Sequence, residues 1–156
     1  MSVESEIENE ALARQCNCLA IRQAARHVSQ FYDQLLAPSG LRATQFAILS
    51  RLQRGGPMTI NALAAKLVMD RTTLGRNLLP LEREGLVEIG PGVTDRRRRE
   101  VRLSAAGAAR LAAARRGWTQ AQQRFDAVFG PERAAALRDL LREVVASDFA
   151  AAGDPS

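Results

Sequence analysis

Along most of the chain, hydrophobic residues recur at the three- and four-residue spacing of amphipathic helices. This spacing predicts helices over residues 11–37, 44–52, 60–67, 71–84, 104–129 and 132–151. Two short alternating or β-branched runs, residues 86–89 and 100–103, predict the strands of a hairpin. The pattern therefore predicts a mainly α (α+β) protein.

The two short helices at residues 60–67 and 71–84 are separated by a tight turn. Thr59 or Asn61 can cap the first helix, Asp70 can cap the second, and Gly85 follows the last helical residue. Such a pair predicts a helix-turn-helix, although the same pattern also occurs in many helical cores. With the leucines at 74, 78 and 81 turned inward, the residues expected outward or on the flank are Thr72, Thr73, Gly75 and Arg76.

Two residues of the second helix fit this picture less well. Leu79 falls on its outer half, and Pro80 removes a backbone donor inside the helix and is expected to bend it.

The predicted hairpin carries four consecutive arginines, at positions 96 to 99, after the turn residues Gly90, Pro91 and Gly92. A charge run of this kind is often a solvated loop. Four adjacent guanidinium groups also repel one another unless an anionic partner neutralises them, and arginine enters narrow A·T minor grooves. Placed directly after a helix-turn-helix, the hairpin favours a nucleic-acid partner.

Several short sequence patterns carry a resemblance to a known family. They are TIxxLAxxL, DRTTLGR, LEREGLV, DRR and VxLSxxG within residues 59–107, preceded by APSGL at 37–41 and TQFAIL at 44–49. In this order they resemble the MarR family of winged-helix transcriptional regulators, over most of the chain. The family often has another residue where Pro80 stands, which is a departure at the far end of the second helix.

The resemblance implies that the second helix reads the major groove while a wing arginine enters the minor groove. It also implies that Asp95 orients the wing arginines, and Arg98 completes the predicted contact set. Transferred by position, the major-groove residues are Arg71, Thr72, Thr73, Arg76 and Asn77, and the minor-groove residues are Arg96 and Arg97.

Length and charge fit this interpretation. At 156 residues and 17.0 kDa, the chain can form one core, or a small lobe with an oligomerising element. Its net charge of +5 is concentrated in residues 59–103, where 9 basic and 6 acidic residues sum to +3. The acidic first ten residues do not resemble a signal peptide and no long apolar run occurs, so a cytoplasmic location is expected.

The remaining helices predict a dimer. Residues 1–10 are expected to be a disordered acidic tail, 38–103 the winged helix-turn-helix lobe, and 11–37 and 104–151 dimerisation helices. A lobe of this size cannot cover three long apolar faces, although a monomeric bundle is the alternative. A symmetric dimer predicts a pseudo-palindromic operator. The apolar faces comprise Leu12, Cys16, Leu19, Ala20, Ala24, Val28, Phe31 and Leu35; then Leu111, Ala114, Trp118, Ala121, Phe125 and Val128; and finally Ala135, Leu137, Leu140, Leu141, Val144, Val145 and Phe149.

Cys16 and Cys18 are the redox-capable groups. Two residues apart on a helix, they would point about 200° apart and could not easily bridge each other. Buried, unreactive side chains are one interpretation. The other is an oxidant-sensing thiol, which resembles the peroxide-sensing branch of the family.

His27 is the single histidine, so no metal site of ordinary ligand count can form, and no cofactor is expected. It can be a half-buried structural residue. Alternatively, with Arg22, Tyr32 and Trp118, it can line the cleft where MarR-like proteins bind small phenolic or aromatic acids.

No nucleotide-binding, serine-hydrolase or metalloprotease motif occurs in the sequence, so an enzyme is not expected. The sequence predicts a dimeric, sequence-specific regulator of transcription, a repressor released by a small aromatic ligand or an oxidant. The alternatives are a general DNA-binding or architectural protein without operator specificity, and an interaction module that reuses the fold without DNA.

Overall fold

The predicted sequence of helices followed by a hairpin is present in the computed structural model, which describes Glu10 and residues 13–149. The chain forms two compact units, the first ending at Trp118 and the second beginning at Thr119. The elements in chain order are α1 (Asn17–Leu36), a 3-10 turn (Ala37–Ser39), α2 (Ala43–Gly55), β1 (Met58–Thr59), α3 (Ile60–Leu67), α4 (Arg71–Arg83), β2 (Val87–Pro91), β3 (Arg99–Leu103), α5 (Ala105–Phe129) and α6 (Pro131–Ala146).

The core of the first unit is apolar throughout. Side chains from α1, α2, α3, α4, the sheet and the first half of α5 meet there, and every buried side chain among the described residues is hydrophobic. The inward stripe predicted for α4 is present, since its three leucines are at most 2% exposed. The most deeply buried large side chains are Leu36, Ile48, Leu49, Leu52, Leu63, Leu74, Leu78, Leu81, Leu86, Val87, Val101 and Leu111.

A three-stranded antiparallel sheet, in the order β1-β3-β2, stands beside α4. Its register pairs Ile89 with Val101 in the hairpin, and Val101 also faces Met58 of β1. The hairpin was predicted, but β1 was not. With only two residues between Pro57 and α3, this strand is too short to show an alternating pattern.

Local hydrogen bonds define where these elements begin. The Thr59 hydroxyl accepts from the Ala62 N–H at 3.2 Å, so Thr59, one of the two predicted candidates, caps α3. The Ser104 hydroxyl accepts from the Gly107 N–H at 2.9 Å and donates to the Gly85 carbonyl at 2.6 Å. Ser104 therefore caps α5 and ties its start to the end of α4.

The long N-terminal helix differs from the prediction. It begins at Asn17, because Cys16 adopts an extended conformation, with ψ of 104°, and acts as the N-cap. The Cys16 thiol accepts a hydrogen bond from the Leu19 N–H at 3.4 Å. The predicted positions 1–9, 11–12 and 150–151 lie outside the described residues, and α6 ends at Ala146.

The second unit contains the end of α5, the whole of α6 and the residues that follow to 149. The Phe125 and Phe129 rings lie 5.4 Å apart, and the Arg133 guanidinium lies 4.4 Å from the centre of the Phe129 ring. Val128 was assigned to the apolar seam of α5, but it is 90% exposed in the protomer.

Apolar side chains remain exposed on α1, on α6 and after α6. They include Leu19 and Ile21 on α1, and a cluster near the chain's end. The exposed residues near the chain's end are Leu140, Leu141, Val144, Val145 and Phe149.

Within the part of the chain that the structure describes, no helix has the length and apolar character needed to cross a bilayer.

Candidate nucleic-acid interface

A tight turn joins α3 to α4. Val68 ends α3 in the left-handed conformation, with φ of 53°. It is the one non-glycine residue with positive φ among those described. Asp70 then caps α4, accepting from the Thr73 N–H at 2.8 Å and from the Thr73 hydroxyl at 2.6 Å. The hydroxyl hydrogen bond and, after it, the backbone N–H hold the pKa of Asp70 below its usual value.

The outer face of α4 is open to solvent. The side chains of Arg71, Thr72 and Arg76 are exposed, and none of them has a hydrogen bond or ion pair with another described residue. A Cβ added to Gly75 would meet nothing within 4 Å. This face therefore offers free hydrogen-bond donors and has no side chain at Gly75. Such a face suits close approach of the helix to the groove of a nucleic-acid duplex.

Two other residues predicted for this face are engaged within the helix. The Thr73 hydroxyl donates to Asp70, and the Asn77 side-chain amide donates to the Thr73 carbonyl at 2.9 Å. Thr73 therefore keeps only acceptor capacity on its hydroxyl. Asn77 keeps its carbonyl oxygen and one of its two amide hydrogens. Arg71, Thr72 and Arg76 remain the unengaged donors.

The tip of the hairpin is organised by Asp95. Its carboxylate accepts from the Arg97 N–H at 3.0 Å and lies 3.6 Å from the Arg98 guanidinium, while its carbonyl accepts from the Arg98 N–H at 3.0 Å. The Gly92 N–H donates to the Arg98 carbonyl at 2.7 Å. A Cβ on Gly92 would lie 2.6 Å from the Asp95 carbonyl oxygen, so the tip closes only around glycine.

The four arginines of the tip are not equivalent. Arg96 and Arg97 are exposed, and their guanidinium groups have no partner among the described residues. Arg98 pairs with Asp95, and Arg99 donates to the Ile89 carbonyl at 3.5 Å. The two guanidinium groups that are free to bind an anion are thus those at the apex.

The structure adds residues that sequence reasoning missed. Arg102 donates to the Pro91 carbonyl at 2.6 Å and lies 3.6 Å from the Glu100 carboxylate, which also accepts from the Val93 N–H at 3.3 Å. These contacts stiffen the base of the tip. They follow from the register of the hairpin, for which the sequence carried no local signal.

The second group of predicted residues lies on other elements, at the start of and along α1 and on α5. Cys16, Cys18 and Arg22 are exposed at or near the start of α1, and His27 is exposed at its middle. Trp118 is half-buried and stacks on Phe46 with ring centroids 6.0 Å apart. The prediction that the two cysteines share a helix is wrong, because Cys16 precedes it in an extended conformation. The reactivity of the two thiols stays a prediction.

A shallow cavity of about 470 Å³ lies beside the turn that joins α1 to α2. Its lining contains none of the residues predicted for ligand binding. The residues that line the cavity are Asp33, Gln34, Ala37, Gly40, Leu41 and Arg42.

Among the described residues, no cluster of three or more metal-ligating side chains occurs.

Comparison with known proteins places this geometry in context. The model of the MarR family matches residues 39–98. The transcriptional regulator MosR of M. tuberculosis is 34% identical, with 86% of this chain and 99% of MosR covered and a TM-score of 0.73. No curated protein sequence matches the chain.

Several of the similar structures contain DNA. MosR in complex with DNA is 37% identical, with 84% of this chain and 97% of that chain covered and a TM-score of 0.71. A mutant of MarR from E. coli complexed with operator DNA is 25% identical, with 92% and 99% covered and a TM-score of 0.73.

Proposed function

The chain belongs to the MarR family of transcriptional regulators, and on that premise we propose that it is a homodimeric repressor that binds a specific, pseudo-palindromic DNA site. The observation that carries this proposal is the pairing of two unengaged cationic surfaces. One is the outer face of α4 and the other is the apex of the hairpin. Relatives with the same fold have been solved with DNA bound, which supports a duplex as the partner.

In this proposal α4 occupies the major groove and the hairpin tip the minor groove. Arg76, free and central on the outer face, is the residue suited to a bidentate contact with guanine. Arg71 and Thr72 contact bases or phosphates beside it, and Thr73 and Asn77 contribute through the polar atoms that they keep.

At the tip, Arg96 and Arg97 carry the minor-groove contact because nothing else in the described chain engages their guanidinium groups. Asp95 and Arg98 hold the turn that presents them. DNA affinity should therefore be more sensitive to substitution of Arg96 and Arg97 than of Arg99, whose side chain donates to the Ile89 carbonyl.

The dimer is supported by the apolar residues left uncovered in the protomer. Leu140, Val144 and Val145 lie exposed on one side of α6, and exposed apolar clusters of this kind mark association sites. We infer that a second copy covers them. Val144→Glu is expected to give a monomer by sedimentation, whereas Glu143→Lys, on the polar side of the same helix, is expected to remain dimeric.

Release from DNA is proposed to follow binding of a small aromatic acid or oxidation of a thiol. Both cysteines are exposed, which supports access of an oxidant. Arg22, His27 and Trp118 are the proposed contacts for an acid, and residues exposed in one protomer can be brought together by a partner copy.

The decisive experiment is a binding titration on duplex DNA from the region upstream of the gene, at several salt concentrations. Arg76→Ala is expected to relax sequence choice by about 1 to 3 kcal/mol. Arg96→Ala with Arg97→Ala is expected to lower affinity and to reduce the salt slope by about one for each phosphate that the variant no longer neutralises. Arg124→Ala, an exposed cation on α5, serves as the control.

A uniform loss of affinity across all sequences for every arginine variant would indicate an architectural protein instead. Unchanged DNA retention after reversing Arg96 and Arg97 to Glu would indicate an interaction module without DNA. Repetition with phenolic acids and with peroxide, alongside transcription in vitro, tests release and the sign of regulation.

A further inference from the structure

Leu79 is an apolar side chain on the otherwise polar face of α4. It is 47% exposed although it lies in the interior of the helix, five residues after the fully buried Leu74. At about 100° per residue, Leu79 is turned about 140° from Leu74. By the same geometry it shares an arc of about 60° with Thr72, Arg76 and Arg83. Leu79 is therefore part of the face proposed to meet the duplex.

The surroundings of Leu79 restrict what can cover it. Arg76 and Arg83 are exposed on either side along the helix, and neither has an ion-pair partner among the described residues. Two copies of such a cationic face would repel each other, whereas a polyanion would be attracted. In the major groove the apolar group on the base edges is the 5-methyl group of thymine. The apolar side chain of Leu79 can pack against this methyl group.

The position along the helix is also suitable. With a rise of about 1.5 Å per residue, Leu79 lies about 4.5 Å beyond Arg76 along the axis. Successive base pairs are separated by about 3.4 Å. A helix lying in the groove would therefore place Leu79 one to two base pairs from the pair contacted by Arg76.

We propose that Leu79 is a specificity-determining residue that selects thymine by packing against its 5-methyl group. This inference rests on the proposed function and deepens it. Two other exposed apolar residues, Val68 and Val93, do not lie on the outer face of α4. Val68 is in the turn before α4, and Val93 is on the hairpin. Val93 therefore provides a control.

The test begins with selection of bound sequences from a pool of randomised duplexes by the full-length protein. Each thymine of the selected site is then replaced by deoxyuridine, which removes only the methyl group. Wild-type protein is expected to bind about three- to fivefold more weakly when the contacted thymine is replaced, as befits the removal of one packed methyl group. Leu79→Ala should bind both duplexes equally, and Val93→Ala should discriminate like wild type.

A gain-of-function variant provides an independent readout. Leu79→Gln presents an amide, the group that pairs with adenine, and selection with this variant should replace thymine by adenine at one position in each half-site. Circular dichroism checks that each variant is folded, as expected for substitutions at a half-exposed position.

The outcomes separate the two proposals. If wild-type protein selects no defined site, the proposed function fails and this inference fails with it. If it selects a site but deoxyuridine weakens wild type and Leu79→Ala equally at every thymine, or if no thymine is selected near the Arg76 contact, only the role of Leu79 is overturned.

Discussion

Gly117 on α5 faces the carbonyl oxygen of Leu35 on α1 so closely that an added Cβ would lie 2.2 Å from that oxygen. No flexible side chain can yield here, because the atom in contact belongs to the backbone. The glycine therefore allows α1 and α5 to approach each other beside the lobe, and this close approach connects the proposed dimerisation helices.

We expect Gly117→Ala to destabilise the protein by about 1 to 3 kcal/mol, the usual cost of overpacking a close contact. Urea denaturation followed by circular dichroism measures this. Gly75→Ala is the matched control, since it adds the same methyl group to a helix with nothing within 4 Å. That variant should gain about 0.5 to 1 kcal/mol from helix propensity. Equal effects of the two substitutions would contradict the close approach.

A second prediction concerns the turn before α4. Val68 is 71% exposed and holds φ of 53°, a conformation that costs an L-residue about 1 to 2 kcal/mol. Val68→Gly relieves this strain but adds freedom to the unfolded chain, so a net gain of up to about 1 kcal/mol is expected. Val93→Gly, at an exposed position without positive φ, should lower stability slightly. Thermal or urea denaturation measures both effects, and a loss of stability at both positions would argue against strain at Val68.

A third prediction follows from the lowered pKa of Asp70. A depressed folded-state pKa means that the unfolded chain binds the proton more readily, so stability rises with pH in this range. The contribution of the Asp70 charge is present above the ordinary carboxyl pKa of 3.8 and is lost as pH falls through the lower folded value. Asp70→Asn keeps a capping oxygen without the charge.

Wild type should therefore be more stable than Asp70→Asn at neutral pH, and the difference should disappear in acid. Denaturation midpoints between neutral pH and pH values below the folded pKa measure it. Thr73→Val removes the hydroxyl donor that contributes most to the shift, so NMR titration should show the Asp70 pKa returning towards its ordinary value. An Asp70 pKa unchanged in Thr73→Val would refute the assigned cause.

The sequence alone predicted those parts of the fold that short-range interactions determine. Asp70, and Thr59 as one of two candidates, were predicted as capping residues, and the hydrogen bonds of both span three residues. The family resemblance was likewise confirmed by comparison. Sequence reasoning failed at Cys16, where the helix predicted over residues 11–37 is interrupted without a glycine or proline to mark it.

Other features depend on contacts between distant parts of the chain. The β1 strand exists because Met58 and Thr59 pair with Val101 and Glu100, and two residues carry no usable periodicity. The Arg102 bond to the Pro91 carbonyl depends on hairpin register. The residues alone do not show which arginines of the tip stay free, whereas the family resemblance had already singled out Arg96 and Arg97.

The last prediction tests the assigned role of Asp95. Its carboxylate accepts from the Arg97 N–H and pairs with Arg98, so it orders the segment that presents the free arginines. Asp95→Ala removes this order, and the ordering cost must then be met on binding. Asp95→Asn keeps an oxygen for the backbone N–H and removes only the charge. Comparing the two variants separates the hydrogen bond from the charge.

We expect Asp95→Ala to bind operator DNA about three- to tenfold more weakly, in line with the cost of ordering one or two side chains. Asp95→Asn should bind as well as wild type or better, since it also removes a negative charge close to phosphates. Glu88→Gln, on the neighbouring strand, controls for removal of negative charge from the hairpin. If Asp95→Asn binds as weakly as Asp95→Ala, the ion pair with Arg98 must dominate over the bond to the Arg97 N–H, because only the ion pair is absent from both variants.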